Sequence, residues 1–537
     1  MVRLRIAGGG LNDEERQARL DEAKKLHAAA QTAAAADIYR DIIRHAPRDF
    51  EALHMLGVVA QQGGNTELAL RFIEAALAAR PSYAPAWFNR SVILHALGRN
   101  PQALQSARMA IDAAPDLADA WDMIGQIARD NGDYAEAERA HAKAIELQPN
   151  NARFHGNDAA WRFAAGDLGG AYRAARRATD CDTTYPPLLL GNILRAMGYP
   201  ANAADCFASA GVLHPALAAE AANSEAMARL QTGDMARGLA LWEQRQDLSI
   251  GLAAIPLWRG EKIAHLLLYE DQGLGDTLHF MRYVPLLAGR AERITLCVRA
   301  PLSRLCMENF SIASVIGEDM PVPQADARCR LSSLPFHFGT RIETIPAAPY
   351  IQPPAPRGIA RDVSAPRIGL VWAGNKKFRT DYNRSLKFKM LAPLIACGFA
   401  HFVSLQKDRP NDPADGIFDA APLANDFAET AALIVGLDLV IAVDTAIAHL
   451  AGAMGKPVWI LLPFDADWRW LLGREDSPWY PSARLFRQKR PGDWAEVIPR
   501  VADAARRLIN GDRDVLRAAP FTGQGLRQNP DALSLPA

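Results

Sequence analysis

The sequence has no net charge. Sixty Lys and Arg balance sixty Asp and Glu over 537 residues. No global field therefore holds nucleic acid or an anionic membrane, and any charge-based recognition is local. No run approaches the roughly 18 apolar residues of a membrane span. The first stretch, MVRLRIAGGGLNDEERQ, shows neither a long apolar segment nor a cleavage site. A cytoplasmic location is expected. Cysteine is scarce: Cys181, Cys206, Cys297, Cys306, Cys329 and Cys397 are scattered, without a C-x-x-C pair or a histidine at metal spacing. That argues against a disulfide framework and for reduced thiols, many of them core filler. What remains is an ordinary globular composition, 49% hydrophobic and 22% charged, on a chain long enough for two to four domains.

The first half repeats. Pro47, Pro81, Pro115 and Pro149 fall at a strict 34-residue spacing, the period of helix–turn–helix solenoids. Counting back from Pro81 places Leu53, Leu56, Gly57 and Ala60 on one helix and Ala69, Ile73 and Ala76 on the next. Counting back from Pro149 gives Trp121, Ile124 and Gly125, then Ala137 and Ala144. Small residues let paired helices touch, a large apolar residue fills the neighbouring unit, and proline ends each unit. An earlier unit runs from about Glu15 to Pro47. Later ones keep the pattern more loosely, with Thr183 in place of proline, then Pro215, then a seventh unit with Gly238 in place of alanine. This resembles the tetratricopeptide repeat. About seven units over residues 14–250 predict a superhelix whose concave face takes a peptide or protein.

From residue 258 the texture changes to short apolar runs alternating with helical patterns, the mark of parallel α/β units. HLLLYE (265–270) reads as a strand, DQGLGD as a glycine loop, TLHFMRYVPLL as a helix and RITLCV as a strand. Residues 351–366 are Pro-rich and aperiodic, a linker. RIGLVWAGN, HFVSLQKD, LDLVIAVDT and KPVWILLP are four further strands. Two α/β lobes, 258–350 and 367–512, joined by a hinge predict a cleft with ligand at the carboxyl ends of the strands. A tail spans 513–537. The first lobe is short for a doubly wound unit.

The stretch VIAVDTAIAHLAGAMGKP ends a buried strand in Asp444-Thr445 at the mouth of a helix. Two readings fit: a plain N-cap, or an anion site built from free amides and the positive dipole end. His449 lies one turn on, as a ligand or as a core histidine.

The segments GLGDTLHFMRYVP, GLVWAGN, FVSLQKD, DFAETAALIVGLDLVIAVDTAIAHLAGAMGKPVW and DWRWLL together resemble bacterial tetratricopeptide-repeat proteins with a heptosyltransferase-like (family 9) glycosyltransferase module of GT-B fold. The resemblance implies an inverting, metal-independent transfer of sugar from a nucleotide sugar to a hydroxyl, with the helix end and Lys407 in place of a cation. Thr445 and its neighbouring backbone would bind phosphate, with Asp444 as cap or sugar ligand. Gln406 and Lys407 would belong to the nucleotide site, and Glu429 would hold ribose or cap its helix. Asn375 and Arg384 are picked from the loop after the first strand of that lobe, where Lys376, Lys377 and Arg379 read as a solvated basic run. In the first lobe Asp276 corresponds to the proposed general base, His279 is the alternate, and Gly273 and Gly275 would let backbone approach substrate. Trp459, Trp468, Trp470 and Trp479 read as an aromatic plug, with a stacking wall for sugar or base as the other choice. The reduced first lobe suggests that the repeats supply acceptor recognition. That favours Ser/Thr of a protein, such as a flagellin-like surface protein, over a polysaccharide or lipopolysaccharide. A non-catalytic scaffold that senses a nucleotide sugar is the reading from another class.

Overall fold

The computed structural model describes residues 12–246, 250–356, 365–378, 381–397, 400–407, 417–519 and 521. Arg379, half of the expected linker (357–364) and the tail beyond 521 lie outside the described residues. The chain divides into two compact units, Met1–Ile193 and Leu194–Ala537.

The first unit is built from antiparallel helix pairs: α1 (Asp13–Ala28) with α2 (Thr32–His45), α3 (Phe50–Gln62) with α4 (Thr66–Ala79), α5 (Ala84–Ala96) with α6 (Asn100–Ala113), α7 (Ala118–Asp130) with α8 (Tyr134–Leu147), and α9 (Ala152–Ala165) with α10 (Leu168–Cys181). The turn inside successive pairs carries Gly64, Gly98, Gly132 and Gly166, each at positive φ. A side chain there would meet the left-handed penalty, so the glycine repeats with the proline. The proline period has a partner as well. The indoles of Trp87 and Trp121 donate to the carbonyls of Pro81 and Pro115 at 2.7 and 2.9 Å, and His155 bonds that of Pro149 at 2.8 Å. The ring six residues after each proline thus fixes the entry into the next pair.

Two more pairs follow, α11 (Leu188–Ala196) with α12 (Pro200–Leu213) and α13 (Ala218–Thr232) with α14 (Met235–Glu243). The expected boundary near residue 250 is not where compactness divides the chain, because the seventh pair, α12 and the end of α11 belong with the sheets. The reason is packing: Leu230, Met235 and Leu239 share one hydrophobic core with Leu266 and Leu268 of the first sheet.

That sheet comprises β1 (Ile263–Tyr269), β2 (Ala291–Val298), β3 (Ala313–Gly317) and β4 (Ala327–Arg330) in the order β3-β2-β1-β4, all parallel. Its helices are α15 (Leu274–Phe280), α16 (Ala300–Asn309) and the short α17 (Leu334–His337). The second sheet runs β10-β9-β8-β5-β6-β7, also parallel. Its strands are β5 (Arg367–Val371), β6 (His401–Ser404), β7 (Phe418–Asp419), β8 (Leu439–Val443), β9 (Val458–Leu462) and β10 (Ala483–Arg487). Its helices are α18 (Asp381–Arg384), α19 (Ala392–Ile395), α20 (Phe427–Val435), α21 (Ala446–Ala453) and α22 (Trp494–Ile509). Strands β5, β8 and β9 are buried at every residue, as a sheet covered on both faces requires. One face packs on α22 through Trp459, Val497 and Val501. The other joins the core that runs into the first sheet and α13–α14.

The hinged cleft is therefore corrected. Among the described residues the two sheets meet through a packed seam, where Trp468, Trp470, Trp479 and Tyr480 share the core of the first sheet. The start of the expected linker is tied down, since Tyr350 and Ile351 donate backbone bonds to Ala453 at 3.0 and 3.2 Å.

If the seventh pair is part of the sheet core, Leu230→Ala should destabilise the second unit by about 2–5 kcal/mol. Denaturant melts of the full chain check this; a wild-type midpoint would show that α13 only leans on the sheets.

Candidate functional site

In each sheet the first strand sends the chain to one side, and a later strand pairs with its other edge. Such a reversal opens a crevice at the carboxyl ends of the two neighbours. In the second sheet these are β5 and β8, whose ends are Trp372–Asn375 and Asp444-Thr445.

Helix α21 begins there without a side-chain cap. The Thr445 hydroxyl turns back and donates to the carbonyl of Val443 at 3.1 Å, so the plain-cap reading of Thr445 fails. Residues 444–447 are half-buried. Arg384, at the end of α18, donates to the Asp444 carbonyl at 2.9 Å and pairs with Asp381 at 3.1 Å. Lys407 stands exposed past the end of β6 on the same edge. Asn375 is exposed too, its side chain capping the amide of Lys377 at 2.9 Å.

Gln406 is a correction. Its Oε1 accepts from the amides of Trp372 and Ala373 at 3.0 and 2.8 Å, and its Nε2 donates to the carbonyls of Ala373 and Lys407 at 3.1 Å each. All four of its hydrogen-bonding positions are spent. It ties the end of β5 to the end of β6 and has nothing left for a ligand.

Glu429 is occupied as well. It accepts from the amide and the side chain of Asn425 at 2.8 and 3.1 Å, bonds that pull its carboxyl below the usual range. Asp426 caps α20 and receives both arms of Arg304 from α16 at 2.7 and 2.8 Å. The pair joins the lobes.

Across the seam Gly275 meets α21 directly. A Cβ there would lie 2.9 Å from His449 Cδ2 and 3.2 Å from Ala446 Cα. The glycine does permit a close backbone approach, but in this structure the approach is to a helix and not to substrate. Gly273 is the N-cap of α15, its amide donating to Asp276 Oδ2 at 2.9 Å. The other oxygen of Asp276 pairs with Arg469 at 2.7 Å. Asp276 thus caps its helix and holds a cation, with 28% of its side chain still exposed.

His279 is enclosed, at 0% exposure. Its ring packs 4.4 Å from Trp479 and 5.4 Å from His449. Burial first, then the charges of Arg282 and Arg469, hold its imidazole well below the ordinary histidine value. As an alternate base it is out of reach of an acceptor in this conformation, because no face of it meets solvent. It belongs instead to a chain of polar groups. Asp444 Oδ1 lies 3.6 Å from His449 Nε2, His449 Nδ1 is 2.9 Å from the Tyr480 hydroxyl, and that hydroxyl is 3.1 Å from His279 Nδ1. The Tyr480 hydroxyl thus bridges the two imidazoles through their Nδ1 atoms. His279 Nε2 is buried and has no hydrogen-bond partner among the described residues. Burial raises the Asp444 carboxyl, but His449 and, behind it, Arg384 more than offset this and leave it below its usual value.

Several of these groups carry no local signal. Arg469, Tyr480 and Arg282 reach the site from far along the chain. Asp465-Ala466-Asp467 has the spacing of an acidic metal motif. Both carboxylates are engaged, Asp465 with Arg195 at 3.0 Å and Asp467 with Arg469 at 2.9 Å. Three of the four tryptophans form the expected plug: Trp468, Trp470 and Trp479 are buried in the seam, and Trp470 stacks on His449 at 5.4 Å, whereas Trp459 packs on the opposite face of the sheet against α22.

Comparison with known proteins places this segment. Models of the tetratricopeptide repeat match residues 20–84, 54–118 and 118–151, and the model of glycosyltransferase family 9 (heptosyltransferase) matches 423–461. That last stretch contains α20, β8, α21 and β9, hence Asp444 to His449. Protein FlbA of Caulobacter vibrioides is 25% identical over 494 residues, 84% of this chain and 77% of that protein. Human tetratricopeptide repeat protein 7B is 28% identical over 128 residues, 24% of this chain but only 14% of that protein. Among solved structures, that of Pseudomonas aeruginosa pilF is 20% identical, with a TM-score of 0.34, covering 38% of this chain and 93% of its own. The chain carries tetratricopeptide repeats followed by parallel α/β sheets consistent with a glycosyltransferase domain, and the matches support a glycosyltransferase with such repeats. No helix among the described residues is long and apolar enough to cross a membrane.

Two outcomes test the seam. Gly275→Ala should destabilise the second unit by about 1–3 kcal/mol, since neither the α21 backbone nor the stacked His449 can give way freely; an unchanged melting temperature would mean that α15 and α21 slide apart at no cost. The second concerns pH. His279 lies well below 6.5, His54 at about 4, and His337 is lowered too, each chiefly by burial. The unfolded chain takes up protons there that the folded chain refuses. Stability is complete above about pH 6.5 and falls as pH drops below it, by up to about 1.4 kcal/mol per pH unit for each such histidine. Urea midpoints measured from pH 7.5 to pH 5 should show that slope; a flat curve excludes neutral, buried histidines.

Proposed function

We propose that this chain is an inverting glycosyltransferase that works without a metal ion, taking sugar from a nucleotide-sugar donor and placing it on a hydroxyl, with Ser/Thr of a protein as acceptor. The observation that carries the reading is the uncapped start of α21 in the β5/β8 crevice, inside the stretch that the family 9 model matches. The amides there face a leaving nucleotide phosphate with fixed dipoles, which stabilise charge without reorganising. Lys407 adds a mobile positive charge at the same edge, and Arg384 braces the turn. Asp444 does not repel the phosphate strongly, because its carboxylate is turned to His449.

Asp276 is the base of this reading. Its carboxylate takes the proton of the acceptor hydroxyl as that oxygen attacks the anomeric carbon. The bond from that carbon to phosphate oxygen breaks, and the nucleotide leaves with the electron pair, so configuration inverts. Each carboxylate oxygen has a second acceptor position beyond its bond to Gly273 or Arg469.

A protein acceptor is supported by what covers the first sheet. At its own reversal point, the carboxyl ends of β1 and β4, Asp271 is held by Ser332 at 2.6 Å and by Arg245 at 2.7 Å. Arg245 lies just after α14, so the seventh helix pair closes the place where such a lobe would take a small acceptor. Recognition then moves to the repeats.

Thermal melts with a panel of nucleotides and nucleotide sugars test the donor site, with Lys407→Ala as control. A ligand at about 100 times its Kd stabilises the folded state by roughly 2.7 kcal/mol. The expected result is a shift for one base that is lost or much reduced in the variant. No shift with any nucleotide would favour a scaffold without catalysis, and α21 would be merely an uncapped helix.

A further inference from the structure

The loop after β9 is held more firmly than packing alone requires. Gln231 of α13, only 3% exposed, donates to the carbonyl of Ala466 at 3.0 Å and to Asp465 at 3.3 Å. Arg195 of α11 pairs with the same Asp465 at 3.0 Å. From below, Arg487 at the end of β10 donates to the carbonyls of Trp470 and Leu471 at 3.0 and 2.9 Å. Leu471 itself sits at φ 50°, ψ −163°. A bulky residue persists in that region only where its surroundings over-determine it. The loop is thus clamped from two sides in a strained form.

What the clamp presents is Arg469. Its guanidinium is sandwiched over Phe280 at 5.1 Å and Trp468 at 4.5 Å, with Asp467 on Nη1 at 2.9 Å. Its free arm, Nη2, reaches Asp276 at 2.7 Å. The residue is 5% exposed, and its Nε has no partner among the described residues. A flexible surface arginine could follow Asp276 wherever it went. This one cannot move, so it dictates where the carboxylate lies.

We propose that Arg469 is a positioning residue of the transfer site, which fixes the carboxylate of Asp276 and is itself set in place from the repeat helices through Gln231 and Asp465. The proposal rests on the reading of Asp276 as the base. It makes the seventh helix pair part of the catalytic geometry, and not only a surface for acceptors.

The test is steady-state transfer by the full chain, with nucleotide affinity measured separately. Arg469→Gln should lower kcat on the order of 10²-fold, the cost of a base displaced by about 1 Å, while donor KM and nucleotide Kd stay at wild-type values. Arg469→Lys, which keeps a charge on a similar stem, should recover part of the loss. In an Asp276→Asn background Arg469→Gln should cost little more, because both changes remove one coupled unit. Gln231→Ala should lower kcat in the same sense by a smaller factor. Loss of nucleotide affinity in Arg469→Gln would overturn the proposal, making Arg469 a donor ligand. Additive effects of the two substitutions would overturn it too, as would a lysine variant no better than glutamine. Active wild type with an equally active Arg469→Gln defeats this proposal alone. A wild type that binds nucleotide but transfers nothing defeats the transfer reading and this inference with it.

Discussion

A guanidinium with no carboxylate partner among the described residues lies at the middle of the seam. Arg282, 2% exposed, donates to the carbonyls of His279 and Trp479 at 2.8 Å each, to that of Pro346 at 3.3 Å, and to the Tyr350 hydroxyl at 3.4 Å. It also lies 4.8–5.0 Å from the ring centres of Tyr350, Trp479 and Tyr480. A buried charge is tolerated only when its donors are met. Those acceptors come from α15, from the segment ahead of β5, and from the loop ahead of β10. The three must therefore stay together, or Arg282 is left bare. The contact of Gly275 with Ala446 and the placing of the Tyr480 hydroxyl between two histidines depend on the same closure.

That constraint changes how ligands would arrive. A Pro-rich stretch between two α/β lobes suggests a hinge, and a hinge suggests a cleft that opens. Opening this seam would strip Arg282, the Arg304–Asp426 pair and the Asp276–Arg469 pair together. Each would leave a charge without its partner, which costs several kcal/mol where the group is buried. Entry at the solvent-facing edge, where residues 444–447 are partly accessible and Lys407 is exposed, disturbs none of them. The two sheets with α13 and α14 act as a block with an accessible rim.

The parts legible in the sequence are those whose cause is local. A 34-residue proline period is read directly because the prolines and the turn glycines Gly64, Gly98, Gly132 and Gly166 recur at one spacing. Strand and helix order follow from periodicity, and Asp444, Thr445 and His449 sit within one turn of each other. Gln406 could not be read correctly, because its saturation depends on β5 pairing with β6, 34 residues apart. Arg469 and Asp276 are nearly 200 positions apart, and nothing near either names the other. His279 shared a helix face with Asp276 and so looked available, yet burial is set by Trp479 and Tyr480 from the far lobe. Glu429 carried two local explanations, and the bonds to Asn425 show that capping takes its carboxylate.

The two sheets share the order third, second, first, fourth strand, the second sheet adding two more. Each reverses its strand order once, and each reversal makes a crevice at the carboxyl edge. In the second sheet the crevice keeps an uncapped helix start and a lysine with no described partner. In the first it holds Asp271, Ser332 and Arg245, bonded to one another beneath the seventh helix pair. In the second crevice the start of α21 has no side-chain cap to be displaced. Filling the first would require breaking an ion pair whose two side chains are only 12% and 13% exposed. On the proposed reading, roles would divide on that difference, with small-ligand chemistry at the second sheet and Asp276 held by the first, to which the seventh helix pair is joined through a shared core.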